Sequence, residues 1–183
     1  MREMLPALHA IVDKQDAVAS MTRKSQFRLM IIALCVFLLG AIVYLFDRSA
    51  TDIYFIPDWW VFADGTPELF GALGGSFPAF AHTFAFALLF SVLLAPWRVA
   101  PGIVCMGWSA TEALLEISQV DFIGARIQQS LPGWLADWPI LANVPFYFSS
   151  GHYDPLDLLN ILLGGAAAWL TVELANRYGV IEK

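Results

Sequence analysis

Apolar positions along this chain gather into four long runs separated by polar, proline-bearing stretches. The first, Phe27 to Phe46, has Arg28 at its edge as its only charge. The second, Phe77 to Trp97, contains His82 as its only ionisable residue and closes on Pro96-Trp97-Arg98. A turn through Pro101 starts the third, Gly102 to Val120, which carries Glu112 and Glu116 and stops at Asp121. The fourth follows Pro155, where proline suits a helix start, and runs to Ala175. Runs of about 20 residues are what a helix needs to cross the roughly 30 Å hydrocarbon layer. The pattern therefore predicts an all-α, polytopic membrane bundle with four transmembrane helices over residues 27–46, 77–97, 102–120 and 156–175. Together they form a single domain, residues 27–183.

Ahead of the first run, residues 1–26 place Met4, Leu5, Leu8, Ile11 and Val12 among Glu3, Asp13, Lys14 and Asp16. That spacing predicts a short amphipathic helix on the cytoplasmic membrane surface. With this polar stretch before it, the first run reads as an uncleaved anchor and not a signal peptide. Composition agrees with a membrane class: 58% of the 183 residues are hydrophobic and 14% charged, where a soluble domain has about a quarter charged. No basic run of the kind that neutralises nucleic acid occurs. Cys35 and Cys105 lie inside apolar runs, which reads as burial of small hydrophobes, not a disulfide or a metal site.

Charge matters here through its placement. Arg2, Lys14, Arg23, Lys24, Arg28, Arg98, Arg177 and Lys183 fall on one side of the predicted bundle, against Arg48 and Arg126 on the other. Cytoplasmic loops are enriched in Lys and Arg, so both termini are expected in the cytoplasm. The outer side carries Asp47, Asp52, Asp58, Asp64, Glu68, Asp121, Asp137 and Asp154. Its two loops are also aromatic, with Tyr54, Phe55, Trp59, Trp60 and Phe62 in one and Trp134, Trp138, Phe146, Tyr147 and Phe148 in the other. Interspersed prolines (Pro57, Pro132, Pro139 and Pro145) argue against continuous spans. The loops are expected to lie as interfacial segments over the outer leaflet.

Candidate chemistry sits in the last three runs. A charged side chain at the centre of a bilayer helix costs about 2.5–3.5 kcal/mol on insertion scales, so intramembrane carboxylates mark the first place to look for function. Cys105, Ser109, Glu112, Glu116 and Gln119 share one helix face, as do Asp157, Asn160, Gly164, Ala167 and Thr171. Antiparallel pairing of these seams sets Glu116 beside Asn160 and Glu112 beside Gly164. With His82 and Asp154 they form an expected outer-leaflet polar pocket: His82, Glu112, Glu116, Gln119, Asp154, Asp157 and Asn160. The competing account is interhelical hydrogen bonding alone, worth about 0.6 kcal/mol per bond on average, a small return for two carboxyls. No HExxH or comparable ligand spacing points to a metal, no GxSxG motif to a serine nucleophile, and no cofactor is expected. General acid–base work by Glu116 with His82 is chemically open.

His82 in an early aromatic helix, Glu116-Ile-Ser-Gln119 closing the next, and Asp154-Pro-Leu-Asp157-Leu-Leu-Asn160 leading into Gly164-Gly165 together resemble the VanZ-like family of small integral membrane proteins. The resemblance covers about residues 77–175. It departs from the family pattern before the histidine, where Ala79, Phe80 and Ala81 replace an acidic residue and a lysine, and in the long stretch from Val120 to Ser150. It implies a bacterial cytoplasmic-membrane protein of a family associated with resistance to a lipid-bearing glycopeptide antibiotic. His82, Glu116, Gln119, Asp154, Asp157 and Asn160 are then the motif positions. Three functions follow as alternatives: a pocket engaging an amphiphile or envelope lipid, a non-catalytic accessory subunit of a larger membrane complex, or a membrane enzyme using Glu116 with His82. Membrane lipids, with or without other membrane subunits, are the expected partners.

Overall fold

The computed structural model describes residues 21–47, 69–138 and 141–181, and among these every regular element is helical. Four long helices form the bundle: α1 (Arg23–Asp47), α2 (Ala72–Leu94), α3 (Pro101–Ile117) and, last in the chain, α6 (Pro155–Ile181). Between α3 and α6 lie α4 (Asp121–Ser130), 3-10 turns at Gly133–Asp137 and Leu141–Asn143, and α5 (Val144–Ser150). Among the described residues, three segments are long and apolar enough to cross a membrane: Arg23–Asp47, Gly74–Trp97 and Pro155–Arg177. The chain is thus a multi-pass membrane protein by the length and character of its helices. The expected amphipathic stretch before residue 21 and the aromatic loop of Tyr54 to Phe62 lie outside the described residues.

Local chemistry sets the helix ends. A 3-10 turn, Ala95–Trp97, finishes α2, and Arg98 caps it in the left-handed region (φ 55°) with its N–H donating to the Ala95 carbonyl at 3.0 Å. Three residues on, Pro101 opens α3, the position where its missing N–H costs nothing. The third helix stops at Ile117, short of the expected Val120, because Ser118 and Gln119 turn the chain into α4. Asp154 caps α6: its Oδ1 accepts the Leu156 N–H at 2.8 Å, and Pro155 takes the first helical position.

α2 is the centre of the bundle and touches each of the other three long helices, while α3 and α6 also pack together. The core joins Leu29 and Ala33 of α1, Phe84, Ala85, Ala87 and Leu88 of α2, Cys105 of α3, and Ala168 and Val172 of α6. Lipid tails are as apolar as leucine, so membrane helices associate through close packing, which small residues permit. Gly40 meets Ala81 so closely that an added Cβ would sit 2.6 Å from the alanine methyl. The outward faces stay apolar, with Met30, Leu34, Leu38, Leu159, Leu162, Leu163 and Leu170 exposed.

The expected pairing of α3 with α6 is antiparallel as anticipated, but its register differs. Gly164 does not lie over Glu112. It abuts α2, where an added Cβ would come 2.7 Å from the Phe80 carbonyl oxygen. Its neighbour Gly165 is the one that receives α3, directly against the Ser109 hydroxyl. Consecutive helical residues point about 100° apart, so this pair of glycines serves two different neighbours.

Candidate functional site

The polar residues of the seams separate into two centres. In the first, His82 Nδ1 of α2 lies 3.2 Å from Glu112 Oε1 of α3. The contact is an ion pair when the imidazole is protonated and an N–H···O hydrogen bond when it is neutral with the proton on Nδ1. The His82 side chain is 46% exposed and that of Glu112 14%, so the imidazole is the reachable partner and the carboxylate stands behind it. Aromatic rings surround the histidine: Phe86 at 4.6 Å between centroids, Phe37 of α1 at 6.4 Å and Trp108 of α3 at 6.4 Å. The carboxylate brought to His82 is therefore Glu112. The expected acid–base pairing of His82 with Glu116 gives way to this contact one turn deeper in α3.

The second centre holds the start of α6. Glu116 is 7% exposed, and its Oε1 accepts the backbone N–H of Asp154 at 2.8 Å. Asp154 in turn caps α6, so one carboxylate anchors the residue that orients a whole helix. The expected Glu116–Asn160 bond is not the arrangement found: Asn160 Nδ2 donates to the Leu156 carbonyl of its own helix at 2.9 Å. The physical reason is the register, since the Glu116 end of α3 reaches the cap of α6 and not its second turn. Gln119 Nε2 donates to the Tyr147 hydroxyl at 2.6 Å, tying the end of α3 to α5. Gly151 is packed against the Gln119 amide and Gly124 against the Phe148 carbonyl, so close that a Cβ at either would collide. Asp157 lies in the first turn of α6 with one carboxyl oxygen buried.

Ser109, one turn before Glu112, is buried against Gly165. Among the described residues, no three His, Cys, Asp or Glu side chains come together where a metal ion could be held.

Several contributors carry no polar signal of their own. Phe86 follows His82 by four residues and Trp108 precedes Glu112 by four, a spacing that puts each pair on one helix face. Phe37 of α1 and Tyr147 of α5 have no such marker. Asp47, read from the sequence only as one of the outer acidic residues, accepts the N–H groups of Leu69 and Phe70 through Oδ1 at 2.7 and 3.1 Å and fastens the entry to α2 onto the end of α1. No family model matches the chain, and no curated protein or solved structure matches it.

Proposed function

We propose that this chain is a VanZ-like protein of the bacterial cytoplasmic membrane whose outer-leaflet polar site, centred on His82 and Glu112, engages the head of an amphiphile or envelope lipid. The observation that carries this reading is the half-open histidine, held by a carboxylate that is only 14% exposed and walled by Phe37, Phe86 and Trp108. A pair serving only to join helices gains nothing from exposure. An accessible imidazole among aromatic rings can meet both parts of an amphiphile, its polar head and its apolar chain. A link to envelope or glycopeptide-antibiotic resistance follows from the family resemblance.

In this reading α3 is the fourth span. Its 17 residues are about 26 Å long, near the lower limit for a crossing. Ile103, Met106 and Leu114 are exposed on it, as befits a face in lipid. Orientation is supported by charge: Arg23, Lys24, Arg28, Arg98 and Arg177 lie at one end of the long helices, and Asp47, Asp121, Asp137 and Asp154 at or beyond the other. By the positive-inside rule the basic end is cytoplasmic, which puts the termini inside and His82 toward the outer leaflet. Phe122, Trp134, Trp138 and Phe146, all exposed, then rest α4 and its following turns on the outer interface.

Purification from native membranes in a mild detergent, followed by native mass spectrometry, tests the proposal. A monomer retaining lipid, with less retained after His82→Ala, is expected. A stoichiometric protein partner and no lipid dependence on His82 would replace this reading with that of an accessory subunit. Membrane-impermeant thiol reagent reaching a cysteine placed at Lys183 in intact cells would reverse the topology.

A further inference from the structure

The face of α2 between α1 and α3 is a strip with a polar end and an aromatic one. His82, Phe86 and Phe90 follow one another at intervals of four and so stand in a row along the helix. Phe37 borders the row from α1, 5.7 Å from Phe86. Trp108 borders it from α3, 5.4 Å from Phe86 and 4.8 Å from Phe90. Glu112 closes the polar end beside His82.

We infer that this strip holds an amphiphile whose head is a primary ammonium followed by oxygen atoms and an apolar tail. The inference rests on the proposed lipid-engaging role of the same site and names the chemistry it selects. Charge decides the head. Among the described residues Glu112 is the carboxylate paired with His82, and with Nδ1 directed at it, a neutral His82 offers Nε2 as a further acceptor. Ring faces add attraction for a cation. The described basic residues are elsewhere: Arg23, Lys24, Arg28, Arg98 and Arg177 at the opposite end, and Arg126 exposed on α4. Among the described residues, a bare anionic head would find there a carboxylate and no guanidinium or lysine ammonium to balance it.

Depth decides the remainder. Trp108 lies about 6 Å below Glu112 along α3, and its buried indole N–H finds no hydrogen-bond partner among the described residues. An amine seated at Glu112 places the oxygens that link it to its tail at about the depth of Trp108. The tail then runs along Phe86 and Phe90 toward the middle of the bundle.

Protein reconstituted in nanodiscs of equal phosphatidylethanolamine and phosphatidylglycerol, then released for native mass spectrometry, reads the selection. Retention of the ethanolamine lipid by about tenfold over the glycerol lipid is expected, the scale of one charge-assisted contact. N-acetylated phosphatidylethanolamine, which lacks the ammonium, should fall to the level of the glycerol lipid on the unaltered protein. Glu112→Gln should erase the preference. Equal retention of all three lipids that still depends on His82 overturns the amine inference and leaves the amphiphile site standing. Retention indifferent to His82 and Glu112 alike overturns both.

Discussion

Adding a methyl group at Gly164 tests the packing that positions everything else. A Cβ there would lie 2.7 Å from the Phe80 carbonyl oxygen and 3.2 Å from both the Phe84 nitrogen and Thr83 Cβ. Ordinary C···O contacts are about 3.3–3.6 Å, so α2 and α6 must separate by about 0.6–0.9 Å. A gap of that size forfeits a quarter to a half of each affected contact, each worth about 0.1–0.2 kcal/mol. If the patch holds as many atom contacts as one buried leucine, about 40–60, the loss is about 3 kcal/mol. Replacing glycine by alanine inside a helix returns about 1 kcal/mol, leaving Gly164→Ala destabilised by about 2 kcal/mol. For a chain of this size that lowers the melting temperature by about 4–8 °C. Gly107 of α3 supplies the control, since its added Cβ meets nothing within 4 Å, and Gly107→Ala should be neutral or stabilising. Thermal unfolding in detergent measures both. Equal responses at the two glycines would refute the close contact of α2 with α6.

The other expectations concern the polar contacts. Glu116→Gln keeps an acceptor for the Asp154 N–H and should change stability by under about 1 kcal/mol, whereas Glu116→Ala leaves that amide unmatched and should cost about 1–3 kcal/mol; equal thermal shifts would remove the anchoring role. A double-mutant cycle of Gln119→Ala with Tyr147→Phe should show coupling of about 1 kcal/mol, and additivity would mean the bond contributes nothing. Asp154→Ala removes the cap of α6 and should cost about 1 kcal/mol, with amide hydrogen exchange quickening first at Leu156.

Long apolar runs made the helices legible, since a crossing demands length that few other constraints impose. Thus 27–46 became Arg23–Asp47 and 156–175 became Pro155–Ile181, each lengthened by polar residues that continue the backbone hydrogen bonds past the apolar stretch. The end of α3 was less legible because Ser118 and Gln119 are as compatible with a helix as with the turn they make. Of the loop prolines, Pro132 precedes a 3-10 turn and Pro145 lies in the first turn of α5, while Pro57 and Pro139 lie outside the described residues. The short helices α4 and α5 were invisible, since they are too brief to show a period. Helix faces could be read, but their partners could not. Intervals of three and four say which residues share a side, whereas the neighbour that meets that side depends on the crossing of whole helices.

Glu112 and Glu116 show what that difference means for function. One turn apart, they looked like a pair, yet the added 40° of rotation over four residues sends one toward α2 and the other toward the cap of α6. Burying a carboxylate costs about 2.5–3.5 kcal/mol on insertion scales, and a hydrogen bond to a charged group returns about 1.5–3 kcal/mol. The bond from the Asp154 N–H brings Glu116 near balance, and a neutral acceptor could accept that proton as well. Glu112 faces a histidine that stands half open, where an amide could accept the same hydrogen bond but could not supply a negative charge. Of the two glutamates, the one outside the family-like motif is therefore the one whose charge the proposed site would use.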